Sequence, residues 1–151
     1  MDSATYPNEK VVEFIEQNVI PMRVEHDGRL LAMRYRVKWT PTLILLDDQG
    51  IEVYRDVGFL PPERLVPALM LGVGKVNLYS AHYEEAISYF TELVAGYPQS
   101  EEAPEAVYFQ GVARFQTTKS LKAMKEAYET LAAQYPNSTW TKKAQPYAKL
   151  K

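Results

Sequence analysis

Trp39-Thr40-Pro41-Thr42-Leu43-Ile44-Leu45-Leu46-Asp47-Asp48-Gln49-Gly50 is the stretch on which the fold turns. A Thr-Pro pair opens an unbroken apolar run, Thr42–Leu46, of the kind expected of a strand covered on both faces. Asp47-Asp48-Gln49-Gly50 then supplies turn chemistry, with Gly50 free to take a positive φ. Ile51–Val57 is therefore expected to return antiparallel as the hairpin partner.

Upstream of this hairpin, Pro7-Asn8-Glu9-Lys10 opens an amphipathic helix whose apolar residues Val11, Val12, Phe14, Ile15 and Val19 recur at helical spacing. Residues 19–25 switch to strand-like character, with Pro21 near the strand start, where a missing donor is tolerated. Asp27-Gly28 ends that strand, and Leu30, Leu31, Met33, Tyr35 and Val37 suggest a short second helix. Downstream, Gly58-Phe59-Leu60-Pro61-Pro62-Glu63 marks another helix start, with Pro62 or Glu63 in its first turn and Leu65, Val66, Leu69 and Met70 on the helix.

The second half repeats itself. Gly74, Ala86, Phe90 and Pro98 are spaced 12, 4 and 8 apart, and Gly111, Ala123, Tyr128 and Pro136 are spaced 12, 5 and 8, which gives the second unit one extra residue, placed near residues 117–121. Tyr97-Pro98-Gln99-Ser100 is echoed 38 residues later by Tyr135-Pro136-Asn137-Ser138. Small residues belong where antiparallel helices cross closely, an aromatic fills the gap to the next pair, and proline stops the second helix. This rhythm resembles the tetratricopeptide repeat. Two such repeats would be followed by a cap, in which Trp140, Tyr147 and Leu150 cover the last repeat.

The order helix, strand, helix, strand, strand, helix over residues 1–70 resembles a thioredoxin-like domain. The resemblance is carried by Tyr6-Pro7-Asn8-Glu9-Lys10-Val11, Tyr35-Arg36-Val37, Trp39-Thr40-Pro41-Thr42, the Asp-x-x-Gly turn and Val57-Gly58-Phe59-Leu60-Pro61. It implies a cis Thr40–Pro41 bond; it also implies a strand and a Cys-x-x-C ahead of the first helix, and the chain as given begins roughly where the residues just after that motif would lie. The fold expected is α/β thioredoxin-like with a truncated three-strand sheet over residues 1–66, then an all-α tetratricopeptide-repeat array over residues 67–151, the helix 62–79 being shared. A fusion in this order resembles the chaperedoxin class of holdases.

Composition narrows the function. With 46% hydrophobic and 24% charged residues and a formal charge of −2, the chain is expected to be a soluble globular protein without nucleic-acid affinity. No apolar run is long enough for a membrane span, and Met1-Asp2-Ser3-Ala4-Thr5 has neither part of a signal peptide, so a cytoplasmic protein is expected, or a periplasmic one if an upstream signal peptide has been lost. There is no cysteine, which removes thiol catalysis and cysteine-ligated zinc. The basic tail, Lys142, Lys143, Lys149 and Lys151, suits a solvated helix end.

Two candidate peptide-binding sites follow, and neither metal nor cofactor is expected. At the corner Trp39, Thr40 and Pro41, the backbone could pair with an extended peptide, or the corner could be fold punctuation only. On the first helix of the second repeat, Tyr108, Val112 and Phe115 recur at spacings of four and three, with Glu105 and Arg114 nearby; they either line a groove or pack against the neighbouring helix. Eleven tyrosines suit an adhesive surface and a repeat core equally. His26 and His82 are expected at a strand end and a turn, and Asp47-Asp48 in the hairpin turn. The function expected is a non-catalytic protein-interaction module, a holdase or adaptor, with a protein or peptide partner or a homodimer formed through an exposed strand edge. The rival is a fragment of a thiol–disulfide oxidoreductase whose Cys-x-x-C lies upstream of Met1.

Overall fold

The structure, a computed structural model, describes residues 1–24 and 29–150. Helix α1 (Glu9–Asn18) is capped by the Asn8 side chain, whose oxygen accepts from the Lys10 amide at 3.1 Å. Its Val11 is fully buried, and Phe14, Ile15 and the following Val19 pack on the same core, while Val12 faces outward. Two polar contacts fix its position. The buried Thr5 hydroxyl donates to the Leu60 carbonyl at 2.7 Å, and Tyr89 donates to Asn18 Oδ1 at 2.6 Å.

After α2 (Arg29–Arg34), strands β1 (Thr42–Leu46) and β2 (Glu52–Val57) form the antiparallel hairpin, in a register that runs from Thr42 opposite Val57 to Leu46 opposite Glu52, with an irregularity between Leu45 and Leu46. Asp47 organises the turn, since its Oδ1 accepts from the amides of Gln49 and Ile51 at 2.9 and 2.8 Å while Gly50 takes φ +75°. The apolar run is not covered on both faces, as its continuity suggested. Only Leu45 is buried, its β1 neighbours are half-buried, and Leu46 and the β2 end Val57 are exposed.

The expected three-strand sheet is a two-strand sheet among the described residues. Residues 19–24 carry no regular secondary structure and form no ladder with β1, although Ile20, Met22 and Val24 alternate as strand residues do; Glu25 lies outside the described residues, as does His26. Alternation says which side chains share a face, but a strand exists only against a ladder, and the described ladder of β1 is taken by β2.

Helix α3 (Pro62–Tyr79) stabilises this small sheet and begins the helical part. Two glycines set both contacts. A Cβ on Gly72 would lie 3.1 Å from the Leu45 methyls and 3.2 Å from Tyr54 Cβ, so its absence lets the helix sit on the hairpin. A Cβ on Gly74 would lie 2.5 Å from the Phe90 ring, so its absence lets α3 cross helix α4 (Tyr83–Gly96) closely. One apolar core runs through both contacts, from Val11 and Leu45 through Leu65, Leu69 and Leu71 to Phe90, Leu93 and Ala106.

The next pair, α5 (Ala103–Thr118) and α6 (Lys122–Gln134), repeats this crossing. A Cβ on Gly111 would lie 2.6 Å from Ala127 Cβ. Gly74 to Phe90 and Gly111 to Ala127 are both 16 residues, so Ala127, not Tyr128, holds the place of Phe90. The extra residue therefore falls in α6 after Ala127 and not near 117–121, because Phe90 to Tyr97 is 7 residues and Ala127 to Tyr135 is 8. Both second helices end alike, with φ/ψ of −133°/53° at Tyr97 and −132°/53° at Tyr135, whose amides bond the Leu93 and Leu131 carbonyls at 2.8 Å. Helix α7 (Thr139–Ala144), started by the Ser138 cap, and the 3₁₀ turn Gln145–Lys149 close the array. Trp140 and Tyr147 pack with Val107, Ala127, Leu131 and Ala144, and Leu150 stays outside that cluster.

Candidate functional site

The corner before β1 is open to solvent. Thr40–Pro41 is cis, and Trp39 is 74% exposed beside the exposed Thr40 and Pro41. The corner is tied down from below: Thr42 Oγ1 donates to the Trp39 carbonyl at 2.5 Å, and the Gly58 amide donates to the Pro41 carbonyl at 2.9 Å. With β2 on one side, the other edge of β1 carries no strand among the described residues. The surrounding part of the chain is unusually apolar on its outside. Ile20 is 97% exposed, Leu30 85%, and Met22 and Met33 are close behind. Of the large apolar side chains that are exposed among the described residues, only Tyr79 and Leu121 lie beyond residue 61.

The α5 candidates sit differently. Tyr108, Val112 and Phe115 are all half-buried, but they do not share one environment. Tyr108 packs against Trp140 and Phe109, with ring centroids 5.2 and 5.6 Å away, so the C-terminal cap covers it. Burial, and then the neighbouring Tyr147, push its phenol above the usual range. Val112 packs on the main core, and Phe115 joins neither core cluster. Glu105 accepts from Lys75 at 3.0 Å and so bridges α3 and α5, while Arg114 is exposed.

Beside these residues runs a row that spacing could not reveal, because its members come from four elements. Lys75 lies 5.9 Å from the Tyr54 ring centroid and 5.1 Å from that of Phe109; Phe109 is 5.4 Å from Trp140, and Lys143 stands 3.9 Å over Trp140. Burial, followed by the charges of Asp56, Glu102 and Glu105, holds the Tyr54 hydroxyl far above its usual range, so it stays protonated. Arg64 completes the connection between the halves, bonding the buried Glu102 at 3.1 Å and Glu101 at 2.9 Å. Such contacts suit cation–π and ion-pair cross-linking of elements rather than proton transfer. His82 precedes α4 without capping it through its side chain.

Among the described residues, no three His, Asp or Glu side chains are grouped so that they could hold a metal ion, and no helix is long and apolar enough to cross a membrane. No curated protein gives a significant match to the chain. Residues 1–71, a span that ends within α3 just before the glycine on which the helix rests against the hairpin, match the family model described as a thioredoxin-like domain.

Proposed function

We propose that the chain is a non-catalytic protein-interaction module of the holdase or adaptor kind, in which the thioredoxin-like domain is the recognition surface and two tetratricopeptide repeats form its rigid base. The observation that carries this is an edge of β1 that is unpaired among the described residues, in a part of the chain that exposes Trp39, Ile20, Met22, Leu30 and Met33. An unpaired strand edge offers main-chain bonds to an extended segment, and an apolar surface supplies side-chain burial. Thiol exchange needs a thiolate, and the chain has no cysteine to supply one. The repeat assignment is supported by the paired glycine crossings at Gly74 and Gly111 and by the matching turns at Tyr97 and Tyr135. The same edge can accept a second copy of the chain across a two-fold axis, which gives the homodimer as the resting state.

Binding of a permanently unfolded client, reduced and carboxymethylated α-lactalbumin, tests the reading by fluorescence anisotropy. Saturable binding that weakens several-fold in Trp39→Ser is expected. Absence of binding would remove the holdase role, and binding indifferent to Trp39→Ser would remove the corner from it.

A further inference from the structure

A second feature lies where residues 34–36 meet β2. Arg34, Tyr35, Arg36, Glu52 and Arg55 line an open surface concavity of about 560 Å³. Tyr54 faces α3, so its β2 neighbour Arg55 projects from the opposite face of the hairpin, where the end of α2 meets it. The walls are fixed by hydrogen bonds. The Tyr35 hydroxyl donates to the Gly50 carbonyl at 3.1 Å, and Arg55 Nη2 donates to the Tyr35 carbonyl.

The charges do not cancel. Arg55 holds Glu52 through Nε at 2.8 Å and Nη2 at 2.6 Å, so the single carboxylate is already engaged. Arg34 lies over the Tyr35 ring at 5.4 Å, and neither Arg34 nor Arg36 has a carboxylate partner among the described residues. Two guanidinium groups thus remain on a concave wall of a chain whose formal charge is −2. Their planar donor forks match oxyanions in pairs of hydrogen bonds.

Arg36 also occupies a backbone position that glycine usually fills. The Val37 amide bonds the Ala32 carbonyl at 2.8 Å and the Arg36 amide bonds the Met33 carbonyl at 3.1 Å, which is a Schellman cap on α2 with Arg36 at φ +50°. Ala81 and Lys119 are also left-handed, so the conformation alone assigns nothing; Arg36 differs in lining this charged concavity.

We infer that Arg34, Arg36 and Arg55 form a binding site for a phosphate group, carried as a monoester or free. Such a group carries close to two negative charges at neutral pH and three acceptor oxygens, which matches the two uncompensated guanidinium groups with Arg55 as a further donor. Nucleic acid would require a longer basic track than two free arginines provide.

Calorimetric titration of the intact chain with inorganic phosphate, O-phosphoserine and citrate, in about 0.15 M salt to screen diffuse attraction, tests this. Saturable one-site binding of both phosphates in the millimolar range or tighter is expected, with citrate weaker. Tighter binding of O-phosphoserine would make the ligand a phosphoester, and equal binding would make it free phosphate; either supports the site. Arg36→Gly is the decisive variant, because it removes the guanidinium while suiting the cap. It should keep or raise the melting temperature and weaken phosphate binding roughly ten-fold or more, as should Arg34→Gln. No saturable binding up to roughly 10 mM, unchanged binding in Arg36→Gly, or citrate bound as tightly as phosphate would each overturn the assignment.

Discussion

Residues 1–61 and residues 62–150 solve the burial problem in opposite ways. In the helical part, each helix finds its partner next in sequence, and glycines at 74 and 111 let neighbouring axes approach until Phe90 and Ala127 fill the crossings. Backbone groups are satisfied within each helix, so only the apolar faces need covering. The hairpin has no such independence. Among the described residues its strands bond each other on one side only, one face rests on α3, and most of the exposed large apolar side chains belong to residues 1–61. The difference teaches that a strand edge remains chemically unfinished where a helix does not, and the recognition surface proposed above is that unfinished part.

Substitutions can break or sharpen this contrast. Phe90→Ala should have the largest effect, because the ring is fully buried between α3 and α4 and bridges the core that serves both parts; a loss of about 3–5 kcal/mol in urea unfolding is expected. Gly74→Ala should cost about 1–3 kcal/mol by overpacking against that ring, whereas Gly96→Ala, where a Cβ meets nothing within 4 Å, should leave stability unchanged or raise it by up to about 1 kcal/mol. Equal effects at the two glycines would show that close crossing does not hold the array together. Trp39→Ser should change stability by less than about 0.5 kcal/mol, since the indole is largely in solvent; a larger loss would mean that the corner supports the fold and does not serve recognition.

Much of the local structure was legible because it depends on single residues. Asp47 and Gly50 announced the turn, Pro61-Pro62-Glu63 announced the start of α3, and Asn8 announced the start of α1. The strand expected at 19–25 misled because the alternation of Ile20, Met22 and Val24 carries no information about a pairing partner. The repeat phase was misjudged because Tyr128 is the nearest aromatic, yet the crossing at Gly111 takes Ala127. For Tyr108 the sequence left a groove role and a packing role open, and spacing within α5 could not show that the cap brings Trp140 to its ring. Arg34, Arg36 and Arg55 gave no signal at all. Two flank a helix end and one sits in a strand, and only the Tyr35 bonds to the hairpin bring them to one concavity.

The central claim is that the hairpin is finished by association. Sedimentation velocity of the intact chain at micromolar concentration, in the same buffer as a thermal melt, tests it most directly. The account predicts a concentration-dependent dimer whose melting temperature rises with protein concentration, because binding partners stabilise the folded state by mass action. A monodisperse monomer with a cooperative, concentration-independent melt would contradict it and would show that the two-strand sheet on α3 is sufficient by itself.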